Sequence, residues 1–121
     1  PSRQDARGQV FTLAGEAFGS GQAQLTAGAA ASVRALGTYL ARLGFSGVEV
    51  VGHTDSQGNP EANQRLSQQR AEAVRAGLAA AGLGRGKTSA RGAGDGEPVA
   101  DNATPGGRAR NRRVEIVIPN Y

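Results

Sequence analysis

The sequence predicts an α+β two-layer sandwich in which two main helices pack on one face of a small mixed sheet. Three observations predict it. Apolar residues recur at steps of three and four between residues 29 and 43 and along the segment 63–81, then at steps of two from 114 to 118. Each helical stretch lies between two strand-like segments, giving the order β-α-β-α-β-loop-β. The 121 residues, 38% hydrophobic and 20% charged, suit one domain with a modest core rather than a disordered chain.

Residues 1–8 are polar and unpatterned and are expected to form a linker or frayed terminus, with the domain spanning 9–119. Val10, Phe11 and Leu13 mark a first strand, and a glycine-rich connection over 15–21 carries Phe18. Ala29, Val33, Leu36, Leu40 and Leu43 form the apolar stripe of a first helix, with Thr26 as N-cap and Gly44 as stop. Residues 48–52 read as a strand running into His53-Thr54-Asp55. Asn59 and Pro60 then cap and open a second helix expected to reach about Ala81 and stop at Gly82. A short strand is expected over 87–91, followed by a long irregular loop over 93–110, rich in Gly, Pro, Asn and Asp. Val114, Ile116 and Ile118 alternate as the last strand.

Composition removes several function classes. With no Cys there is no disulfide scaffold, thiolate metal site or thiol nucleophile, and a single histidine, His53, argues against a multi-histidine metal centre. No metal or cofactor is expected. No apolar run approaches the roughly 18 residues of a membrane span, and no cationic start precedes an apolar stretch as in a signal peptide. A start at Pro1 rather than Met suggests a fragment whose targeting segment lies elsewhere. The net charge of +4 comes almost wholly from arginine, Lys87 being the one lysine. Arginine suits bidentate recognition of carboxylate or phosphate, but a genome rich in Arg, Ala and Gly codons gives the same tilt, so an anionic partner is permitted, not required.

The segment 81–88, Ala-Gly-Leu-Gly-Arg-Gly-Lys-Thr, approximates a phosphate-binding loop. That loop needs a strand before it and a helix after it. Here a helix precedes and a strand follows, so the segment is a helix stop and turn, and a nucleotide enzyme is excluded. His53 beside Asp55 suggests acid–base work, yet no motif places a nucleophile.

The second helix is more informative. Asn63, Leu66, Ser67, Arg70, Ala73, Val74, Gly77 and Leu78 follow one stripe, so Arg70 and Asn63 share the apolar face. A guanidinium there must be paired and hydrogen-bonded, and Asp55 closes the preceding strand at the same end of the domain. One possibility is an Asp55–Arg70 salt bridge that locks the turn. The other adds Arg112, which has the parity of Val114 and so is expected to face the core, while Arg113 faces solvent. Two arginines and one aspartate would hold a zwitterion, carboxylate on arginine and ammonium on aspartate.

The residues that carry these features also carry a resemblance. Gly52-His53-Thr54-Asp55, Gly58, and the run from Asn63 to Val74 resemble the central signature of OmpA-like C-terminal domains, which also occur in peptidoglycan-associated lipoproteins and flagellar stator proteins. Ala90-Arg91-Gly92 with Gly94 and Pro98, and Asn102 followed by 107–116, agree in order and spacing, so the resemblance runs from about Val10 to Ile118. It implies non-covalent binding of peptidoglycan through the meso-diaminopimelate residue of the stem peptide, without catalysis. Such a domain would be periplasmic, in a Gram-negative cell envelope, associated with the outer membrane through a tether outside it. The family's binding positions fall on Asp55, Arg70, Asn63 and Arg112, with Thr54, Ser20 and Gly21 lining the same pocket. Where the family usually carries Phe-Asp in the first loop, this chain has Phe18-Gly19. Two other classes stay open on the residues themselves. A basic nucleic-acid-binding module would show steep salt dependence, although aromatic residues for stacking are scarce. A peptidoglycan hydrolase would need a metal constellation or carboxylate pair that the sequence does not display.

Overall fold

The computed structural model describes residues 2–120. Five strands form one mixed sheet: β1 (Ser2–Asp5), β2 (Gly8–Ala14), β3 (Val48–His53), β4 (Thr88–Gly92) and β5 (Arg113–Ile118), in the spatial order β1-β2-β5-β3-β4. Only β3 and β4 run parallel, because α2 (Pro60–Ala80) carries the chain back between them. With α1 (Ala27–Arg42) and the short α3 (Pro105–Asn111), three helices accompany the sheet. Among the described residues no helix is long and apolar enough to cross a membrane.

The helices start where the sequence caps them. Thr26 Oγ1 accepts the Ala29 amide at 3.3 Å, and Asn59 Oδ1 accepts the Glu61 and Ala62 amides at 2.9 and 3.0 Å, with Pro60 in the first turn. Gly44 and Gly82, both at positive φ, follow the helix ends. The core joins Val33 and Leu40 of α1, Ala71, Val74 and Leu78 of α2, and Val48, Val50, Val114, Ile116 and Ile118 of the sheet. Leu43, expected at the end of the α1 stripe, is exposed. Ala71 is buried where the α2 stripe named Ala73.

Close approach comes from glycine. A methyl at Gly52 would run into the Ser67 carbonyl, so α2 lies directly on β3. A methyl at Gly37 would sit 2.9 Å from Ala81 Cβ, which brings α1 and α2 together. Side chains of α2 also reach the free edge of β4. Gln68 accepts the Gly92 amide at 2.7 Å and Arg75 Nη2 donates to the Thr88 carbonyl at 3.2 Å.

Three expectations are corrected. Residues 2–5, expected to fray, form β1 in a hairpin with β2; Pro1 lies outside the described residues. What orders β1 is charge, not apolar alternation. Arg3 and Arg7 donate to the buried Glu115 at 3.2 and 2.8 Å, and Asp5 accepts the Arg7 amide at 2.8 Å across the turn. The loop expected over 93–110 contains α3, whose Thr104 cap accepts the Gly107 amide at 3.0 Å and whose first residue is Pro105. Asn111 then ties the preceding loop down. Its Oδ1 accepts the Val99 and Ala100 amides, and its Nδ2 donates to Ala100 and Asn102. Finally, the last strand keeps its parity, but the exposure read from it does not hold. Arg112 caps α3 rather than belonging to β5, and its side chain is 44% exposed. Arg113, expected in solvent, is buried on the sheet's outer face and donates to Glu115, Asn111 and Glu97.

Candidate functional site

The antiparallel registers set Ala14 and His53 opposite Arg113. The loop after β2, the turn after β3 and the residue before β5 therefore leave the sheet at one end, and α2 passes over the same end.

Asp55 sits in the turn after β3 and is buried. Its Oδ1 accepts the Gln57 amide at 2.9 Å, a local bond that fixes the turn, and its Oδ2 accepts from Arg112 Nη1 at 2.6 Å. Asn63, one turn into α2, donates to the Gln57 carbonyl at 2.7 Å and braces the same turn. Thr54 donates its hydroxyl to the Asp55 carbonyl, and its amide donates to Gly94, both at 2.8 Å.

Arg70 has a different environment. Its Nε donates to the Gln22 carbonyl at 2.8 Å and its Nη2 to the Gly19 carbonyl at 3.4 Å, while the guanidinium carbon stands 4.8 Å from the centre of the Phe18 ring. The residue is only 8% exposed, and burial pushes its pKa below the ordinary arginine value. Among the described residues no carboxylate pairs with it. The Asp55–Arg70 bridge of the sequence-based alternative is thus replaced by an Asp55–Arg112 pair and a lone buried cation held by backbone carbonyls.

A cavity of about 270 Å³ opens beside that cation, lined by Glu16, Phe18, Ser20, Gly21, Arg70 and Arg112 among others. Its walls offer two guanidinium groups, an aromatic face and, behind Arg112, the Asp55 carboxylate. Such a lining suits a small ligand bearing a carboxylate. Among the described residues no three His, Asp or Glu side chains gather as a metal site.

A family model described as the OmpA family matches residues 17–112. The chain belongs to the OmpA family. Outer membrane porin F of Pseudomonas fluorescens is 48% identical over 86 residues, which are 71% of this chain and 26% of that protein. The chain therefore spans about a quarter of that relative's length. The cell wall anchor of the T6SS from Pseudomonas aeruginosa superposes with a TM-score of 0.85 at 32% identity, over 99% of this chain and 87% of that one. The peptidoglycan-associated lipoprotein from Burkholderia pseudomallei gives 0.75 at 29% identity, over 88% and 87%.

Of the residues the sequence singled out, this OmpA-family domain places Arg70, Arg112, Ser20 and Gly21 on the cavity wall. Asp55 meets the cavity through Arg112, whereas Thr54 and Asn63 shape the turn that carries Asp55 and do not line it. Phe18 and Glu16 line the cavity and were not anticipated as site residues. The one signal for Phe18 is a lone aromatic in a glycine-rich connection, and nothing in the sequence marks Glu16.

Proposed function

We propose that this domain binds peptidoglycan non-covalently through the meso-diaminopimelate residue of the stem peptide, performs no chemistry on it, and anchors an envelope protein to the wall. The observation that carries this reading is Arg70. A buried guanidinium without a countercharge is unfavourable unless a ligand supplies one. The carboxylate at the free end of diaminopimelate meets Arg70, and its ammonium reaches the Asp55 carboxylate when the half-exposed Arg112 side chain in front of it swings aside. Phe18 and the two loop carbonyls hold the Arg70 guanidinium in place before the ligand arrives, so little ordering is left to binding. Support comes also from the family, whose members include the wall anchor and the peptidoglycan-associated lipoprotein named above. Those relatives, with the outer membrane porin, support a periplasmic position in a Gram-negative envelope, and in this reading the membrane tether lies outside the domain. Binding to a multivalent wall polymer makes even a weak single contact effective.

The test is co-sedimentation with purified sacculi, competed by free meso-diaminopimelate and by lysine, which lacks the second carboxylate. Retention that diaminopimelate abolishes and lysine leaves intact is expected, and Asp55→Asn, which keeps the turn bond to Gln57, is expected to lose retention. Equal competition by lysine would refute the diaminopimelate assignment. Retention of duplex DNA with steep salt dependence, and none of sacculi, would replace it with a nucleic-acid module. Release of soluble muropeptides would make the domain a hydrolase.

A further inference from the structure

A second hollow, of about 490 Å³, lies over the outer face of β2 and β5 between Arg3, Val99, Arg110 and Arg113, and it shares Glu16 and Arg112 with the smaller cavity. Its volume falls in the range of small-molecule sites. Its four guanidinium groups are not equally free. Arg113 spends Nε, Nη1 and Nη2 on Glu115, Asn111 and Glu97, and Arg3 is tied to Asp5, Glu115 and Thr12. Arg112 commits Nη1 to Asp55. Arg110, in the last turn of α3, has no hydrogen bond or ion pair with any described residue. The hollow therefore presents one uncommitted cation and an apolar wall at Val99, and it adjoins the smaller cavity at Arg112, Ala109 and Glu16.

We infer that Arg110 and this hollow form a second subsite, which takes a carboxylate of the same wall peptide presented by the residue next to the diaminopimelate. The inference rests on the peptide-binding reading above. It makes the domain recognise the free α-carboxylate of the preceding γ-linked glutamate, so that a wall amidated at that position is bound more weakly. One charge-assisted bond in this half-exposed setting corresponds to about tenfold in affinity.

Calorimetric titration of the intact domain with three probes tests this: free meso-diaminopimelate, a soluble wall tripeptide ending in diaminopimelate with its glutamate α-carboxylate free, and the same tripeptide with that group amidated. Wild type is expected to bind the acid tripeptide about tenfold more tightly than the amide. Arg110→Gln, at an exposed position with no contact to lose, is expected to keep the wild-type unfolding midpoint and affinity for free diaminopimelate, while the acid tripeptide falls to the level of the amide. Equal affinity of wild type for the two tripeptides, or wild-type affinity of Arg110→Gln for the acid form, would overturn the subsite while leaving the smaller cavity standing. Failure of wild type to bind any of the three would remove both.

Discussion

Replacing Arg70 by methionine separates what this residue does for the fold from what it does for a ligand. Methionine keeps an unbranched apolar stem against Phe18 but removes the charge and both bonds to the 19–22 loop. The short bond to Gln22, 2.8 Å, is charge-assisted and worth about 1.5–3 kcal/mol. The contact to Gly19, at 3.4 Å, adds little. Against this loss stands the relief of no longer burying a guanidinium that lacks a carboxylate partner, so the net destabilisation is about 1 kcal/mol. For a chain of 121 residues that corresponds to a fall of roughly 3–6 °C in the unfolding midpoint. Binding should suffer far more. A lost guanidinium–carboxylate interaction of about 3 kcal/mol lowers affinity by roughly a hundredfold, enough to abolish co-sedimentation with sacculi. Thermal unfolding by circular dichroism and sedimentation on the same preparation give both numbers. Retention within threefold of wild type would refute a ligand-binding Arg70. A fall in midpoint above about 15 °C would show that the cation serves the loop instead.

Asn111→Ala strands the Val99 and Ala100 amides and the Ala100 carbonyl, and should cost about 2–4 kcal/mol in urea denaturation. Gly52→Ala drives a methyl into the Ser67 carbonyl, so a loss of about 1–3 kcal/mol is expected on the same assay. Burial raises the Glu115 pKa, but contact with His53, 3.4 Å away, and the Arg7, Arg113 and Arg3 guanidiniums outweigh it and hold the carboxyl well below its ordinary value of 4.5. A depressed folded-state pKa stabilises above the unfolded value and the contribution is lost as pH falls below it, so the midpoint should decline from about pH 5 downward. Glu115→Gln should be less stable at pH 7 by about 3–5 kcal/mol and show a flatter acid decline. An unchanged acid slope would contradict the assignment.

The two long helices were legible because several signals coincide in each: Thr26 or Asn59-Pro60 at the start, a three–four apolar stripe, and Gly44 or Gly82 beyond the end. α3 lacks the stripe. Its residues 106–110 are Gly, Gly, Arg, Ala and Arg, and only Thr104-Pro105 announces a helix. β1 carries no apolar alternation, since its order comes from Glu115, more than a hundred positions away along the chain. The residues around the candidate cavity were legible, some by spacing and some by the family resemblance, but their pairing was not. Arg70 is claimed by the carbonyls of Gly19 and Gln22, and backbone oxygens leave no trace in side-chain identity. That capture freed Asp55 for Arg112. Strand parity assigned Arg113 its face correctly but not its exposure, because Glu115 and Glu97 bury that face, and it does not extend to Arg112, which lies in the helix cap before the strand.

The side chains that α2 lays along β4 bear on how many copies of the domain can stand together. A bare strand edge is a template on which another chain can extend the sheet. Gln68 and Arg75 already occupy the outward amide of Gly92 and the carbonyl of Thr88. At the other margin β1 is four residues long and bears Arg3, too brief and too charged to seed a further strand. Neither margin of the sheet therefore offers a bare ladder on which a second copy could add a strand.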